Sequence, residues 1–196
     1  MLPLPVRRKK HPPTGYTGWA GVDPSGADIY AWLEDGRGAG NICLRLPAGV
    51  YGLDVDNYDA KTGGAALAAL VERLGPLPPT WVVSSRDDGV SGIRLYRGVL
   101  PLGRVWLDEP GGAGAGIESV HMGHRYAVVW PSIHPDTGRV YTWRDEGPDG
   151  FFGPYGPGQP GDPGKPGVSV PRLDGLPELP AAWIEALSRA GEVRAG

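Results

Sequence analysis

The chain of 196 residues contains one cysteine, four histidines and no long apolar run. The single Cys43 excludes an internal disulfide framework and a zinc site built from clustered cysteines, and it is typical of a reducing compartment. The four histidines are too scattered to form a zinc motif. No stretch approaches the roughly 20 apolar residues of a membrane span, and the charged N-terminus has no hydrophobic region after it. We therefore expect a soluble, unsecreted, cytoplasmic protein without a membrane partner.

Strong positive charge is also lacking, since the formal net charge is −3. This excludes a general electrostatic attraction to nucleic acid, so any such binding must depend on local basic patches. One basic run, Arg-Arg-Lys-Lys, covers residues 7–10. Such a run is more often a solvated arm, and the functional alternative is contact with the phosphates of a template strand.

Glycine and proline are abundant, with 33 and 22 residues, but they are concentrated towards the C-terminal part. The whole chain also has seven tryptophans and eight tyrosines together with patterned apolar segments, which indicates a folded domain. We predict a folded domain over residues 1–145 and a Gly/Pro-rich linker or strap over 146–170. Residues 171–196 are predicted to contain a helix that packs on the domain or leads to a following module.

Hydrophobic periodicity predicts a mixture of helices and strands, that is, an α+β fold. Strands 117–120 and 125–130 are predicted to pair as a hairpin closed through 121–124, and a loop is expected over 111–116. The predicted helices cover 27–35, 65–74 and 180–190, and the predicted strands cover 41–46, 50–56, 80–85, 93–97, 117–120, 125–130 and 140–143.

The most informative stretch is the strand over 50–56, which ends in Asp54 and Asp56. Successive side chains of a strand alternate between faces, so the two acids share one face, roughly 6.5 to 7 Å apart along the chain. Paired carboxylates are costly to keep ionised unless a cation neutralises them, and hard divalent cations prefer oxygen ligands. An isolated pair of this kind is nevertheless more often a solvated edge-strand face.

Two further stretches decide between these alternatives if all belong to one sheet. Glu118 then completes a three-carboxylate cluster with Asp54 and Asp56, beside Arg94 on the strand over 93–97. Such a cluster suits two divalent ions that activate a hydroxyl and stabilise a leaving phosphoryl oxygen. Arginine supplies fixed donors for triphosphate oxygens.

Each of these residues also has a purely structural explanation. Glu118 is then a surface acid, and His134 is a histidine capped within its loop. Arg94 pairs with Asp87 or Asp88 in the preceding turn.

The joint pattern resembles the ordered motifs of bifunctional primase-polymerase domains of the archaeo-eukaryotic primase superfamily. That family occurs in replication proteins of phages, plasmids and mobile elements, often fused to a helicase. The resemblance covers roughly residues 10–145, and the order and spacing of its motifs agree. The motifs are Pro12–Gly15, Gly52–Asp56, Pro76–Trp81, Ser91–Arg97, Gly116–Glu118 and His124–Pro135.

The resemblance implies an RRM-like antiparallel catalytic sheet packed with helices, beside an N-terminal α/β lobe. Residues 1–145 would then be the primase-polymerase catalytic domain, with a helicase domain in the same longer chain. The location is the cytoplasm, that of the host if the protein is phage-encoded.

The resemblance also implies roles for individual residues. Asp54, Asp56 and Glu118 match its acidic motifs and would be the catalytic ligands of two Mg²⁺ or Mn²⁺ ions. Arg94 stands where many members carry histidine; because arginine donates but does not exchange a proton near pH 7, it is predicted to clamp the triphosphate. The predicted nucleotide-binding residues are Ser91, Gly92, Arg94, Arg125, Ser132 and His134.

The expected function is that of a template-directed primase and DNA polymerase, a nucleotidyltransferase. Its substrates would be NTPs or dNTPs, a single-stranded DNA template and a primer. The rival enzyme class is a metal-dependent nuclease or phosphohydrolase built on the same carboxylates. A third alternative is a non-catalytic DNA-binding module of a replicative helicase.

Overall fold

The structure, a computed structural model, describes residues 1–98, 116–146, 153–155 and 172–192. This part of the chain forms three α-helices, nine strands and two short 3₁₀ turns. The helices are α1 (Gly26–Glu34), α2 (Gly63–Leu74) and α3 (Ala181–Glu192); the strands are β1 (Leu2–Leu4), β2 (Asn41–Leu44), β3 (Val50–Val55), β4 (Trp81–Ser84), β5 (Gly92–Arg97), β6 (Ile117–His121), β7 (Ala127–Val129), β8 (Thr142–Asp145) and β9 (Gly153–Tyr155).

The strands form two antiparallel sheets. The larger has the order β6-β3-β5-β4-β8-β9, so the acidic strand β3 lies between β6 and β5. The smaller has the order β1-β2-β7. The predicted α+β class is therefore confirmed.

Strand β1 was not among the sequence predictions, which described the start of the chain only through the basic run at 7–10. Leu2 and Leu4 are 2 % exposed and pack with Trp32 and Cys43. The strand pairs with β2, Leu2 lying opposite Cys43. The basic run therefore follows directly on a fixed strand.

The predicted hairpin between β6 and β7 is wrong. β6 pairs with β3 in the large sheet, whereas β7 pairs with β2 in the small one. A tight turn does join His121 and His124 through reciprocal backbone hydrogen bonds of 3.0 and 2.9 Å. Arg125 then adopts a positive φ of 65°, and the chain continues into the other sheet.

One face of the large sheet is covered by helices. Leu53 and Val55 of β3 are fully buried in a core cluster that includes Leu70 of α2 and Trp183 of α3. The helix predicted over 65–74 is confirmed as α2, and Leu67, Val71 and Leu74 on it pack against the same core.

The opposite face of the large sheet packs partly against the small sheet. Val83 of β4 clusters there with Ala127 and Val129 of β7, and Ile93 of β5 packs against them. This covering leaves Asp54 and Glu118, on the same side of β3 and β6, beside an open cleft.

The C-terminal segment also joins the core. Its backbone adds to β5, because Arg97 N–H donates to Pro177 O and Leu179 N–H donates to Arg97 O, both at 2.8 Å. The predicted 146–170 linker and 111–116 loop fall mostly outside the described residues, although β9 pairs with β8. None of the described helices is long and apolar enough to cross a membrane.

Candidate active site

A cleft of about 550 Å³ opens between the two sheets. Seven of the nine predicted site residues line it, and Arg94 and Ser132 do not. The seven lining residues are Asp54, Asp56, Ser91, Gly92, Glu118, Arg125 and His134.

The carboxylates are positioned by strand register and by two glycines. Asp54 lies directly opposite Glu118 in the β3–β6 pair, so their side chains share the cleft face. Asp56 N–H donates to Gly116 O at 2.6 Å, and Asp56 O accepts from Gly63 N–H at 3.0 Å. A Cβ on Gly63 would lie 2.5 Å from Asp56 O, and one on Gly116 2.4 Å from it. Only glycine therefore lets the chain hold Asp56 this closely.

Cations of the protein contact two of the three carboxylates. Lys61 pairs with Asp56. Arg125 Nη2 lies 2.7 Å from Glu118 Oε2, and His124 Nε2 lies 3.1 Å from Glu118 Oε1. Lys61 was not among the predicted site residues, and its pairing depends on the turn that returns it to Asp56.

Asp54 has a raised pKa because it is buried next to two other carboxylates. Burial, together with the negative charges of Asp56 and Glu118, raises the pKa of Asp54 from 3.8 to about 7. A raised carboxyl pKa means that an additional positive charge at this position would be stabilising.

The fit of a divalent ion rests on this donor set. Within the described ranges, no three His, Cys, Asp or Glu side chains are already grouped as a metal site. The three carboxylates nevertheless offer the oxygen donors that Mg²⁺ and Mn²⁺ prefer, and burial together with the charges of Asp56 and Glu118 raises the pKa of Asp54. The residues present therefore suit a divalent cation that replaces the contacts of Lys61 and Arg125.

Ser91 and Gly92 shape the wall of the cleft at the start of β5. Ser91 Oγ accepts from Asn57 N–H at 2.9 Å and lies 2.5 Å from Asp88 Oδ2, so its hydroxyl joins two loops. Gly92 has φ 142°, and a Cβ there would lie 2.8 Å from Val83 O. Ser91 and Gly92 therefore determine the backbone conformation of the cleft wall.

The structure does not bring Arg94 to the cleft, contrary to the expectation that it lies beside the carboxylates. Arg94 lies opposite Leu53 in the β3–β5 register, on the helix-covered face, while Ile93 lies opposite Asp54. Its Nε donates to Glu146 Oε1 at 3.0 Å and its Nη1 to Val90 O at 2.9 Å. Its contacts therefore support the loop that precedes Ser91.

Replacing Arg94 by methionine is expected to lower the free energy of unfolding by about 3 kcal/mol, because it leaves a buried carboxylate unpaired. The side chains of Arg94 and Glu146 are only 7 % and 14 % exposed. Denaturant unfolding measures this loss, and the double variant Arg94→Met/Glu146→Gln should recover part of it. Weaker triphosphate binding by an undestabilised Arg94→Met protein would contradict this role and support a clamp.

Ser132 likewise lies away from the cleft. Its Oγ accepts from Ile42 N–H at 2.8 Å and donates to Ile42 O at 2.9 Å, and the residue is 2 % exposed. The hydroxyl therefore fastens the end of β7 to β2.

The cleft also contains polar residues that the sequence analysis did not select as site residues. Lys9 and Lys10 belong to the basic run at 7–10, which was interpreted from the sequence mainly as a solvated arm. The other residues carried no sequence signal that marks a site. The polar cleft residues that were not selected are Lys9, Lys10, Tyr58, Lys61, Ser84, Ser85, Arg86, Tyr126 and Tyr141.

A cleft in which clustered carboxylates lie beside cationic side chains suits chemistry on phosphorylated substrates. The chain matches the model of the Prim-Pol family, described as bifunctional DNA primase/polymerase, N-terminal, over residues 2–159, and it belongs to that family. The family implies primase/polymerase activity, nucleotide and DNA substrates, and divalent metal ions in general. No curated protein and no solved structure matches the chain.

Proposed function

We propose that this protein catalyses template-directed nucleotidyl transfer. A primer 3′-hydroxyl, or the hydroxyl of an initiating nucleotide, attacks the α-phosphate of an NTP or dNTP and releases pyrophosphate. The observation that carries the proposal is the shared cleft face of Asp54 and Glu118, with Asp56 at the same cleft, in a chain of the Prim-Pol family.

Asp54, Asp56 and Glu118 would hold two divalent ions, Mg²⁺ or Mn²⁺. Bound there, such ions lower the pKa of an attacking hydroxyl and neutralise charge that develops on the phosphoryl group. Lys61 and Arg125 then become free to donate to the substrate, since the carboxylates no longer need them as counter-charges.

The remaining cleft residues have positioning roles in this proposal. Arg125, whose side chain is 48 % exposed, donates to a phosphate of the nucleotide or the template. Gly92 allows the close packing of β4 and β5 that forms the wall behind the nucleotide. Ser91 holds the loops on either side in place.

The topology supports the RRM-like architecture. The described succession β3-α2-β4-β5-β6, with the sheet order β6-β3-β5-β4, has the strand arrangement of the β-α-β-β-α-β pattern of such modules, and residues 99–115 between β5 and β6 lie outside the described part of the chain. The proposed N-terminal lobe corresponds to α1 with the small sheet, to which β7 contributes a strand from later in the chain.

The same proposal extends to the setting of the domain. A single-stranded DNA template and a primer bind along the cleft, and a helicase domain in a longer chain supplies unwound template. The catalytic domain covers 1–145, and residues 146–170 are a linker or strap from which β9 pairs with β8.

Extension of a labelled primer tests the proposal. We expect the protein to lengthen the primer on a single-stranded template when triphosphates and Mg²⁺ or Mn²⁺ are present, and to stop when the metal is chelated. Omitting the primer shows whether the domain also initiates synthesis. Metal-dependent shortening of the strand without extension would instead identify a nuclease.

A further inference from the structure

The His134 ring has one nitrogen whose role is fixed by the backbone. Its Nδ1 accepts from the N–H groups of Asp136 and Thr137 at 3.2 and 3.3 Å. The carboxylate of Asp136 lies 3.9 Å from Nδ1, too far to accept a hydrogen bond from it. Since a neutral imidazole has one donor and one acceptor, the proton is on Nε2.

That Nε2–H faces another donor. Lys9 Nζ lies 3.0 Å from His134 Nε2, and an ammonium group has donors and no acceptor. Burial lowers the pKa of both side chains, and this effect outweighs the opposing charge of the Asp136 carboxylate. A single oxyanion placed between them would accept from both.

The two donors are held in position by the fold. Asn41, which is 4 % exposed, donates to Arg8 O at 3.0 Å and to Ile133 O at 2.8 Å, so one side chain links the residues preceding Lys9 and His134. Tyr126 Oη donates to Lys9 O at 2.9 Å. The basic run is therefore fixed where Lys9 enters the cleft.

Two further cations line this part of the cleft. Within residues 1–98 and the other described segments, neither Lys10 nor Arg86 forms an ion pair with a carboxylate. The Arg86 guanidinium stacks on the Tyr58 ring, 3.4 Å from its centroid, which fixes its position. The positive charge of Arg86 lowers the pKa of both Lys9 and His134, so all three groups are close together.

We propose that Lys9 Nζ and His134 Nε2 bind the terminal phosphates of the nucleoside triphosphate through a shared oxygen, with Arg86 as the neighbouring donor. The assignment rests on the proposed function, which places the α-phosphate at the carboxylates of the same cleft. Lys9, Arg86 and His134 line the same cleft as the three carboxylates, so one triphosphate has its reacting end at the acids and its terminal end at this subsite.

Equilibrium binding to the full chain tests the subsite without turnover. Isothermal titration calorimetry with Mg²⁺ present would measure Kd for inorganic tripolyphosphate, a nucleoside triphosphate and the corresponding monophosphate. Lys9→Met is expected to raise Kd for the first two by roughly tenfold, because a charged hydrogen bond is lost. Kd for the monophosphate should not change, and Lys9→Arg should restore triphosphate binding.

Two matched variants define the site further. Arg8→Met removes an exposed cation from the same run and should leave every Kd unchanged. His134→Asn keeps an acceptor for the N–H groups of Asp136 and Thr137 but removes the Nε2 donor, so it should weaken tripolyphosphate binding without a fall in Tm.

The proposal is overturned if the wild-type protein does not bind tripolyphosphate, or if Lys9→Met leaves that Kd unchanged. If Lys9→Met weakens binding of single-stranded DNA and not of tripolyphosphate, the arm contacts the template backbone and the subsite is also wrong. Lys9-dependent triphosphate binding in a protein that never extends a primer would overturn the proposed function while leaving the subsite in place.

Discussion

Asp54→Asn is expected to reduce primer extension by roughly 10³-fold or more, because a metal-binding carboxylate contributes several kcal/mol of transition-state stabilisation. Asparagine keeps the shape of the side chain and one oxygen but loses the negative charge. Asp56→Asn should have a comparable effect, since Asp56 is the neighbouring ligand in the same proposal. The measurement is the rate of single-nucleotide addition under saturating Mn²⁺ and triphosphate.

Asp59→Asn is the matched control. Asp59 follows three residues after Asp56, is exposed and has φ 53°, a conformation that asparagine tolerates. Its replacement should leave the rate unchanged. Near-normal synthesis by Asp54→Asn, with Asp59→Asn equally active, would mean that the cleft carboxylates do not bind the catalytic metal.

The same variant separates loss of chemistry from loss of fold. In metal-free protein the pKa of Asp54 is about 7, whereas its value in the unfolded chain is near 3.8. Between these pH values the folded protein keeps a proton that the unfolded chain has lost, so the free energy of unfolding falls as pH rises. The stability that comes from the proton retained on Asp54 is complete below about pH 4 and is lost once the pH exceeds about 7.

Asp54→Asn should therefore be more stable than the wild type at pH 8 in chelator, and its stability should depend less on pH in this window. Adding Mn²⁺ at pH 8 should raise the Tm of the wild type and leave that of Asp54→Asn nearly unchanged. Urea unfolding at several pH values provides the measurement. A less stable, inactive variant would indicate that Asp54 has a structural role instead.

Trp183→Ala is expected to lower the free energy of unfolding by about 3–5 kcal/mol, a large part of the stability of a typical domain. Trp183 is fully buried in the core cluster beneath β3, and its Nε1 donates to Gly75 O at 3.0 Å. The substitution removes an aromatic side chain from the face of β3 opposite the acids. Activity should be lost at a lower temperature than in the wild type, in parallel with unfolding.

Tyr30→Ala is a suitable comparison, because Tyr30 is also an aromatic residue in a helix but is 73 % exposed. It should change the free energy of unfolding little.

A chain truncated after residue 159, where the family match ends, should fold poorly, since Leu179, Trp183 and Leu187 would all be missing from the core. A stably folded truncated protein would show that α3 is dispensable.

The sequence was most informative where a pattern is local. Strand alternation predicted that Asp54 and Asp56 share one face, and both line the cleft, whereas Val55 between them is buried in the core. Helical spacing correctly located α2 and α3 to within a few residues of their ends. These features depend on neighbours a few residues apart, so the backbone geometry of one element determines them.

Predictions that depended on how two strands pair with each other were wrong more often. Arg94 was predicted from the sequence to lie beside the carboxylates, but the β3–β5 register shows that Ile93, and not Arg94, shares the face of Asp54. The β6–β7 hairpin was wrong because the positive φ at Arg125 directs the chain into the other sheet, which the apolar pattern of the strands does not encode.

By itself, the sequence determined the α+β composition, the paired acids at the end of β3 and the ordered motifs of a Prim-Pol chain. Only the tertiary structure decided which groups share the cleft. Glu118 lies opposite Asp54 because of the β3–β6 register. Lys9 contacts His134, 125 residues away in the sequence, because Asn41 links the backbone carbonyls of the residues that precede them. Contacts between distant segments depend on how the two sheets pack, and no local periodicity records that packing.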